Sequence, residues 1–422
     1  MNKLFNPQKI ALIGATDREN SVGEGIMKNL LQGEKEVFPV NPFKEEVLGK
    51  KTYSRILDIE EEIDLAIIAI PAEKVKEAAI DCKEKGVGAV IIISAGFKET
   101  GEEGKKREEE IKEILEGIPL LGPNCLGVIR PSKGLNASFA PVSPKAGKIA
   151  LISQSGALID SILSSSEEEN YGFSVVISLG NAAGLGLEDF IKWASEDEET
   201  KVISLYIEGV EKGRDFFKAL KESKKPIVVL KGGKSEKGRE AVGLHTGSLA
   251  GEGKIFSGVL RQTRVKEVSS LEELFDLSKT LAWQSPFRGG VGIVTNGGGA
   301  GVLMTDYLEG ISLPRGEFEN PLDVLGDASP EKYREALEKV FSEEKIGVVT
   351  VILTLQIITD PEGVAREIVE IREKYQKPVV TVFMGGGEKI NKAVSFLEEK
   401  GIPNFKDPFR AAKVLKALNQ GL

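Results

Sequence analysis

Histidine is almost missing: the chain carries a single one, His245, in 422 residues. Cysteine is nearly as scarce, with only Cys82 and Cys125. Two thiols cannot form a disulfide framework, and their spacing matches no metal motif, so a reduced, cytosolic protein without a metal site is expected. No apolar run approaches the roughly 18 residues of a membrane helix, and the opening "MNKLFNPQKIALIGA" lacks the pattern of a signal peptide. An excess of basic charge is missing too. Against 65 acidic residues stand 56 basic ones, a net charge of −9, which argues against broad binding to nucleic acid or to an anionic membrane. A local basic site for a small phosphorylated ligand stays open. Met and Gln are sparse while Glu, Lys and Ile abound, a profile that hints at a heat-adapted source.

What the chain does have is rhythm. The runs "KIALIGA", "EVFPVNP", "IDLAIIAIP", "GAVIIISAG" and "IPLLGPN" are β-branched, bounded by Gly or Pro, and separated by helical stretches such as 74–85 and 102–116. Continuous apolar strands alternating with helices predict a parallel sheet covered on both faces. The segment "RPSKGLNASFAPVSPKAG", rich in Pro, Ser and Gly, reads as a linker. The rhythm restarts at "GKIALISQSGALIDSIL" and, after "QSPFRGG", again at "VGIVTNGGGAGVLMTDYLEG". The length fits about two to four domains. The expected fold is α/β, with three Rossmann-like or flavodoxin-like parallel-sheet domains spanning 1–141, 146–284 and 288–422. Such sheets bind ligands at the carboxyl ends of their strands.

The loops at those ends differ in what they can do. "IGATDRENSVGEG" suits a nucleotide phosphate, because Gly14 permits a tight turn into a helix N-terminus; it also reads as a packing turn. The full G-x-G-x-x-G fingerprint is absent, and the second strand ends at Asn41-Pro42 rather than at an acid for a nicotinamide ribose, which disfavours NAD. "GGKSEKG" is not a phosphate loop, since Val228 stands where the first glycine is required. "ISQSGALIDSIL" and "TNGGGAGVLMTDYL" share one design: a strand ends, small residues follow, a helix begins. Both are candidate phosphate cradles and equally plain α/β turns, and neither is a nucleophile elbow. His245 lies within "GLHTGSLAG", flanked by Thr246, Gly247 and Ser248. A lone histidine is more often structural than catalytic. Imidazole is nevertheless a good nucleophile near its pKa of about 6.5, so a phosphohistidine competes with a Ser-His-Asp reading that no serine motif supports.

Taken in order, "IGAT", "VFPVNP", "IPAEKV", "SAGFKETG", "GPNCLGVI", "SQSGAL", "YIEGVEKGRDF", "HTGSLAG", "TNGGGAGV" and "NPLDVLGDAS" resemble the α subunit of ADP-forming acyl-CoA synthetases, relatives of succinyl-CoA synthetase. The resemblance covers nearly the whole chain. It implies a CoA-binding domain, a ligase domain carrying a phosphorylated histidine and a second ligase domain. The ATP-grasp module with ADP/ATP and Mg is expected on a separate β subunit, in an α2β2 heterotetramer. The reaction implied is acyl-CoA + ADP + phosphate ⇌ carboxylic acid + ATP + CoA. Residue by residue, His245 matches the phosphoryl acceptor and Glu208 an acid that orients it, with Glu211 a weaker candidate. Ser153, Gln154, Ser155 and Gly156 match one phosphate-binding helix N-terminus. Asn296, Gly297, Gly298, Gly299 and Gly301 match the opposing one. Gly14, Ala15, Thr16, Asn41, Pro42, Pro71, Ser94, Asn124 and Cys125 fall in segments matching the CoA site.

The chain departs from the family's pattern in four places. Leu244 precedes the histidine where Ser is usual. Asn181-Ala182-Ala183-Gly184 replaces "NKAD", and Leu353-Thr354-Leu355-Gln356 replaces "LTPQ". The stretch 310–319 is shorter than usual. These changes keep open an alternative, a CoA- or acyl-CoA-binding protein with altered catalysis. The resemblance also gives the scarce histidine a purpose: it carries a phosphoryl group between a site where an acyl phosphate forms and a nucleotide site on another polypeptide. Helix N-termini contribute roughly 0.3–2 kcal/mol each to such a charge, enough to hold it without trapping it.

Overall fold

A computed structural model describes residues 1–246 and 253–419, without the side chains of 244–246. The described part contains three large sheets flanked by helices and a two-stranded ribbon, Glu46–Val47 with Lys50–Lys51, and the chain divides into two compact units, 1–269 and 270–422. No helix among the described residues is long and apolar enough to cross a membrane.

The first sheet has five parallel strands in the order Glu36–Val40, Lys9–Ile13, Leu65–Ile68, Ala89–Ile92, Leu120–Leu121. Its strands are apolar on both faces, and the alternation of side chains sorts them into two cores. Ile10, Leu12, Leu65, Ile67 and Ile91 point one way; Ala11, Ile13, Ala66, Ile68 and Ile92 point the other. The first of these cores continues into Ile152, Ile177, Leu205 and Val229 of the second sheet. That shared core makes the first two sheets one compact unit.

The second sheet has seven strands, in the order Lys266–Val268, Ile227–Lys231, Val202–Ile207, Ala146–Ser153, Phe173–Ser178, Gly127–Arg130, Leu135–Ser138. The first five are parallel and the last two form an antiparallel hairpin. This corrects the linker reading of 130–147. The hairpin pairs Val128 and Ile129 with Ile177 and Val176. Its polar residues are buried and mostly hydrogen-bonded: Arg130 pairs with Asp197 at 2.6 Å, the Ser138 hydroxyl donates to Asn136 Oδ1 at 2.6 Å, and Asn136 Nδ2 donates to the Ser143 hydroxyl at 2.9 Å, while Arg130 Nε finds no partner among the described residues. Composition alone does not separate such strands from a loop, because buried polar groups are tolerated once hydrogen-bonded.

The second unit holds four parallel strands in the order Leu322–Asp323, Gly290–Thr295, Ile346–Thr354, Val379–Met384. Helix Leu271–Trp283, which the sequence rhythm attaches to the second module, falls within this compact unit. Asp276 accepts two hydrogen bonds from Arg410, and Lys279 meets Glu398 at 2.6 Å with both side chains buried.

Candidate functional site

The central strand of the second sheet ends at Ser153, and helix Gly156–Glu168 starts three residues later. The turn between them is held by the strand's last hydroxyl. Ser153 Oγ accepts from Ser155 N at 3.0 Å and donates to Ser155 O at 2.9 Å. Ser155 caps the helix, its hydroxyl accepting from Leu158 N. Ser153 is fully buried, so it shapes the cradle from beneath. The first N–H groups of the helix remain available for an anion.

Gln154 turns the other way. Its Oε1 accepts from Glu208 N at 2.5 Å and Gly209 N at 3.0 Å, and its Nε2 donates to Gly209 O at 3.0 Å. Glu208 itself is buried, at 6 % exposure. Tyr206 donates its hydroxyl to Glu208 Oε1 at 3.2 Å. Burial and the neighbouring Glu208 carboxylate push the Tyr206 phenol up to about 12, so it remains a donor. Lys231, which ends strand Ile227–Lys231, donates to Glu208 O at 2.8 Å and to Gly232 O. Burial lowers the pKa of its ammonium, an effect the Glu208 charge partly opposes. Glu211 is mostly exposed and pairs with Lys98 at 2.8 Å. Of the two acids, Glu208 is the one built into the sheet edge.

Across from the cradle lie the carboxyl ends of the first sheet. Ser94 follows strand Ala89–Ile92, accepts from Ile70 N at 3.2 Å and donates to Ile70 O at 2.5 Å. Its own carbonyl accepts from Asn124 N. Cys125 is buried with its Sγ 3.3 Å from Ile92 O, and burial pushes its thiol up to about 12. A protonated thiol is a poor nucleophile, so Cys125 forms part of the wall. Pro71, Ser94, Asn124 and Cys125 line a cleft of about 610 Å³ together with Gln154, Ser155 and Gly156. Gly14, Ala15, Thr16, Asn41 and Pro42 gather at the ends of the two neighbouring strands. There Asn41 Nδ2 donates to Ala15 O at 2.8 Å, and Thr16 Oγ1 accepts from Arg18 N at 3.2 Å. Gly14 has φ +98°, and a Cβ there would lie 2.3 Å from Ala69 O. The glycine is thus required by the close passage of the backbone, on top of any ligand.

The departing loop at Asn181 turns out to be a polar junction. Its Nδ2 donates to Glu99 at 2.6 Å and to Glu108 at 2.7 Å, while its Oδ1 accepts from Asn124 at 3.3 Å. Burial raises the Glu108 pKa, with Asn181 and Lys98 partly opposing. For Glu99 burial acts the same way, but hydrogen bonds from Asn181 and from the Gly96 and Phe97 amides outweigh it and hold the carboxyl below its usual range.

In the second unit the construction repeats. Thr295 Oγ1 accepts from Gly297 N at 3.0 Å and donates to Gly297 O at 3.1 Å, and helix Gly298–Tyr307 begins next. Asn296 takes the place of Gln154. Its Oδ1 accepts from Thr354 N at 2.7 Å and its Nδ2 donates to Thr354 O at 3.0 Å. Gly298 and Gly299 are exposed, whereas a Cβ on Gly301 would meet Thr295 Cγ2 at 3.0 Å, a packing constraint.

His245 falls in the last turn of helix Glu236–Thr246, where the sequence reading expects a turn. Its side chain, and residues Gly247 and Ser248, lie outside the described residues. Sequence reasoning missed Lys231, Tyr206 and Asp160. The signal for Lys231 was a lone cation closing the apolar run "IVVL".

Residues 146–281 match the succinyl-CoA ligase like flavodoxin domain, and residues 8–131 match a CoA binding domain. The chain is 41 % identical, over its whole length, to "Acetate--CoA ligase [ADP-forming] I" of Archaeoglobus fulgidus, of which it spans 63 %. It is 37 % identical to "Acetate--CoA ligase [ADP-forming] I subunit alpha" of Pyrococcus furiosus, covering 99 % of this chain and 97 % of that one. A dinucleotide forming acetyl-coenzyme A synthetase 1 of Ca. Korarchaeum cryptofilum, solved in complex with phosphate and ADP, superposes with a TM-score of 0.91 at 33 % identity, over 99 % of this chain and 96 % of that one.

Proposed function

The chain belongs to the family of ADP-forming acetate–CoA ligase α subunits, and from that premise we propose that it converts acyl-CoA, ADP and phosphate reversibly to carboxylic acid, ATP and CoA, as an acid–thiol ligase working with an ATP-grasp β subunit. The observation that carries this reading is the cleft. The CoA-site residues Pro71, Ser94, Asn124 and Cys125 and the helix N-terminus at Ser155–Gly156 line one space, so a thioester and a phosphate can meet there. Phosphate held by the helix N–H groups attacks the acyl carbonyl and the thiolate of CoA leaves, giving an acyl phosphate. The oriented N–H groups suit both the attacking phosphate and the phosphoryl group. An imidazole nitrogen of His245 then takes the phosphoryl group, releasing the carboxylate. Glu208 orients the imidazole, and the phosphohistidine delivers its phosphoryl group to ADP on the partner, where Mg also belongs. Transfer needs reacting atoms about 3–3.5 Å apart, so the histidine segment has to serve two places in turn. The second cradle, at Gly297–Gly299, is the other candidate anion site. An α2β2 assembly is the stoichiometry we expect.

The test is incubation of the chain with acetyl-CoA and radioactive phosphate. The label is expected on His245, acid-labile and base-stable as for a phosphoramidate, and absent from His245→Ala. A His245→Ala protein that still supports ATP synthesis with its partner overturns the mechanism.

A further inference from the structure

The resemblance pairs Gln154 with the phosphate-binding turn, but the geometry points elsewhere. The Gln154 carboxamide makes three hydrogen bonds, all to the Glu208–Gly209 backbone. Its oxygen takes two successive N–H groups, and its nitrogen returns one hydrogen bond to the following carbonyl. Only a carboxamide presents an acceptor and a donor in this arrangement. Glu208 is then gripped at three points: its N–H by Gln154, its carbonyl by Lys231 and its carboxylate by Tyr206. The second unit supplies an independent instance. Asn296 stands one residue after the hydroxyl that closes its turn, as Gln154 does, and its carboxamide ties down the backbone of Thr354 at the end of the neighbouring strand. In both sheets the amide residue braces the adjacent strand end, and the helix N–H groups are left for the anion.

We propose that Gln154 is a positioning residue which acts through Glu208, setting the place of that acid at the sheet edge, and is not itself a phosphate ligand. The proposal rests on the role given above to Glu208. Losing the brace leaves the Glu208 carboxylate misplaced, which slows histidine phosphorylation while phosphate still binds the helix N-terminus. Replacement by Glu keeps both acceptor contacts, and so the fold of the turn. It loses the donor to Gly209 O and sets a second negative charge beside Glu208.

The experiment measures phosphorylation of the full chain, co-purified with its β subunit, from acetyl-CoA and labelled phosphate in Gln154→Ala, Gln154→Glu, Glu208→Gln and the two double variants. Each Gln154 substitution is expected to lower the maximal rate about tenfold or more, the scale of leaving buried backbone groups unpaired, with KM for phosphate unchanged. In the Glu208→Gln background the same substitutions should cost less than about twofold, because residues acting as one unit are not additive. A raised KM for phosphate, or an undiminished loss in the Glu208→Gln background, overturns the positioning role while leaving that of Glu208 intact. A Glu208→Gln chain that phosphorylates at the normal rate removes the role of the acid and the proposal with it. If Gln154→Ala proves unfolded by its melting curve, Gln154→Glu decides on the same two readouts.

Discussion

Asp160 stands one helical turn beyond Gly156, on the wall of the cleft. Its Oδ1 is covered and finds no hydrogen-bond partner among the described residues, and burial raises its carboxyl above the ordinary 3.8. A carboxyl raised in the folded state holds its proton longer than in the unfolded chain, so the fold loses stability as pH rises from the ordinary carboxyl range through the raised value. Asp160→Asn should therefore melt higher than the parent at pH 7, and the difference should vanish near pH 3; a difference independent of pH would refute the assignment. Cys125 offers a second test. With its thiol pushed up to about 12 and its side chain buried, it should resist alkylation at pH 8 in the native chain and react once the chain is unfolded. The strand-to-helix turn at Ser153, Ser155 and Gly156 was legible in the sequence, because small residues there lead straight into a helix. The surroundings of Lys231 and Asp160 were not legible, because they come from what the fold sets beside them.

At the scale of elements, the strands were legible because β-branched runs between Gly and Pro have few other uses, and the turns were legible because helix N-termini follow them at once. The hairpin 127–138 was not, because its Ser, Asn and Pro content imitates a loop while its hydrogen bonds are made inside the fold. The consequence is measurable. A fragment ending at 141 strips the hairpin of its partner strand Phe173–Ser178 and uncovers Val128 and Ala137, so it should bind a hydrophobic dye and melt without cooperativity. A fragment of 1–269, which keeps the whole compact unit, should melt in one transition and bind CoA in calorimetry. Within the first turn, Gly14→Ala should cost at least about 1–3 kcal/mol, the scale of forced backbone strain, because the positive φ and the contact with Ala69 O both oppose a side chain. Its melting temperature and its CoA affinity should fall together.

For the whole molecule, the proposed division of labour sets the expectation that the chain alone takes phosphate from acetyl-CoA chemistry but makes no ATP until a β subunit, of the kind implied by relatives named α subunits, is added; ATP formed by the pure chain would refute it. The number of large sheets could be counted from the restarts of the strand rhythm. Where the compact units divide could not, since that depends on which helix faces find a core. The hairpin bears on how such a chain can be rearranged by recombination. Its strand Leu135–Ser138 receives the Asn29 amide through the carbonyls of Ser138 and Ala140, while Gly127–Arg130 is stitched into the sheet that leads to the histidine helix. A gene exchange that trades the CoA-binding portion at residue 141 therefore also trades two strands of its neighbour's sheet, and has to match both surfaces at once. A break between 269 and 270 leaves every strand of the first two sheets together, so shuffled descendants of this chain should divide there.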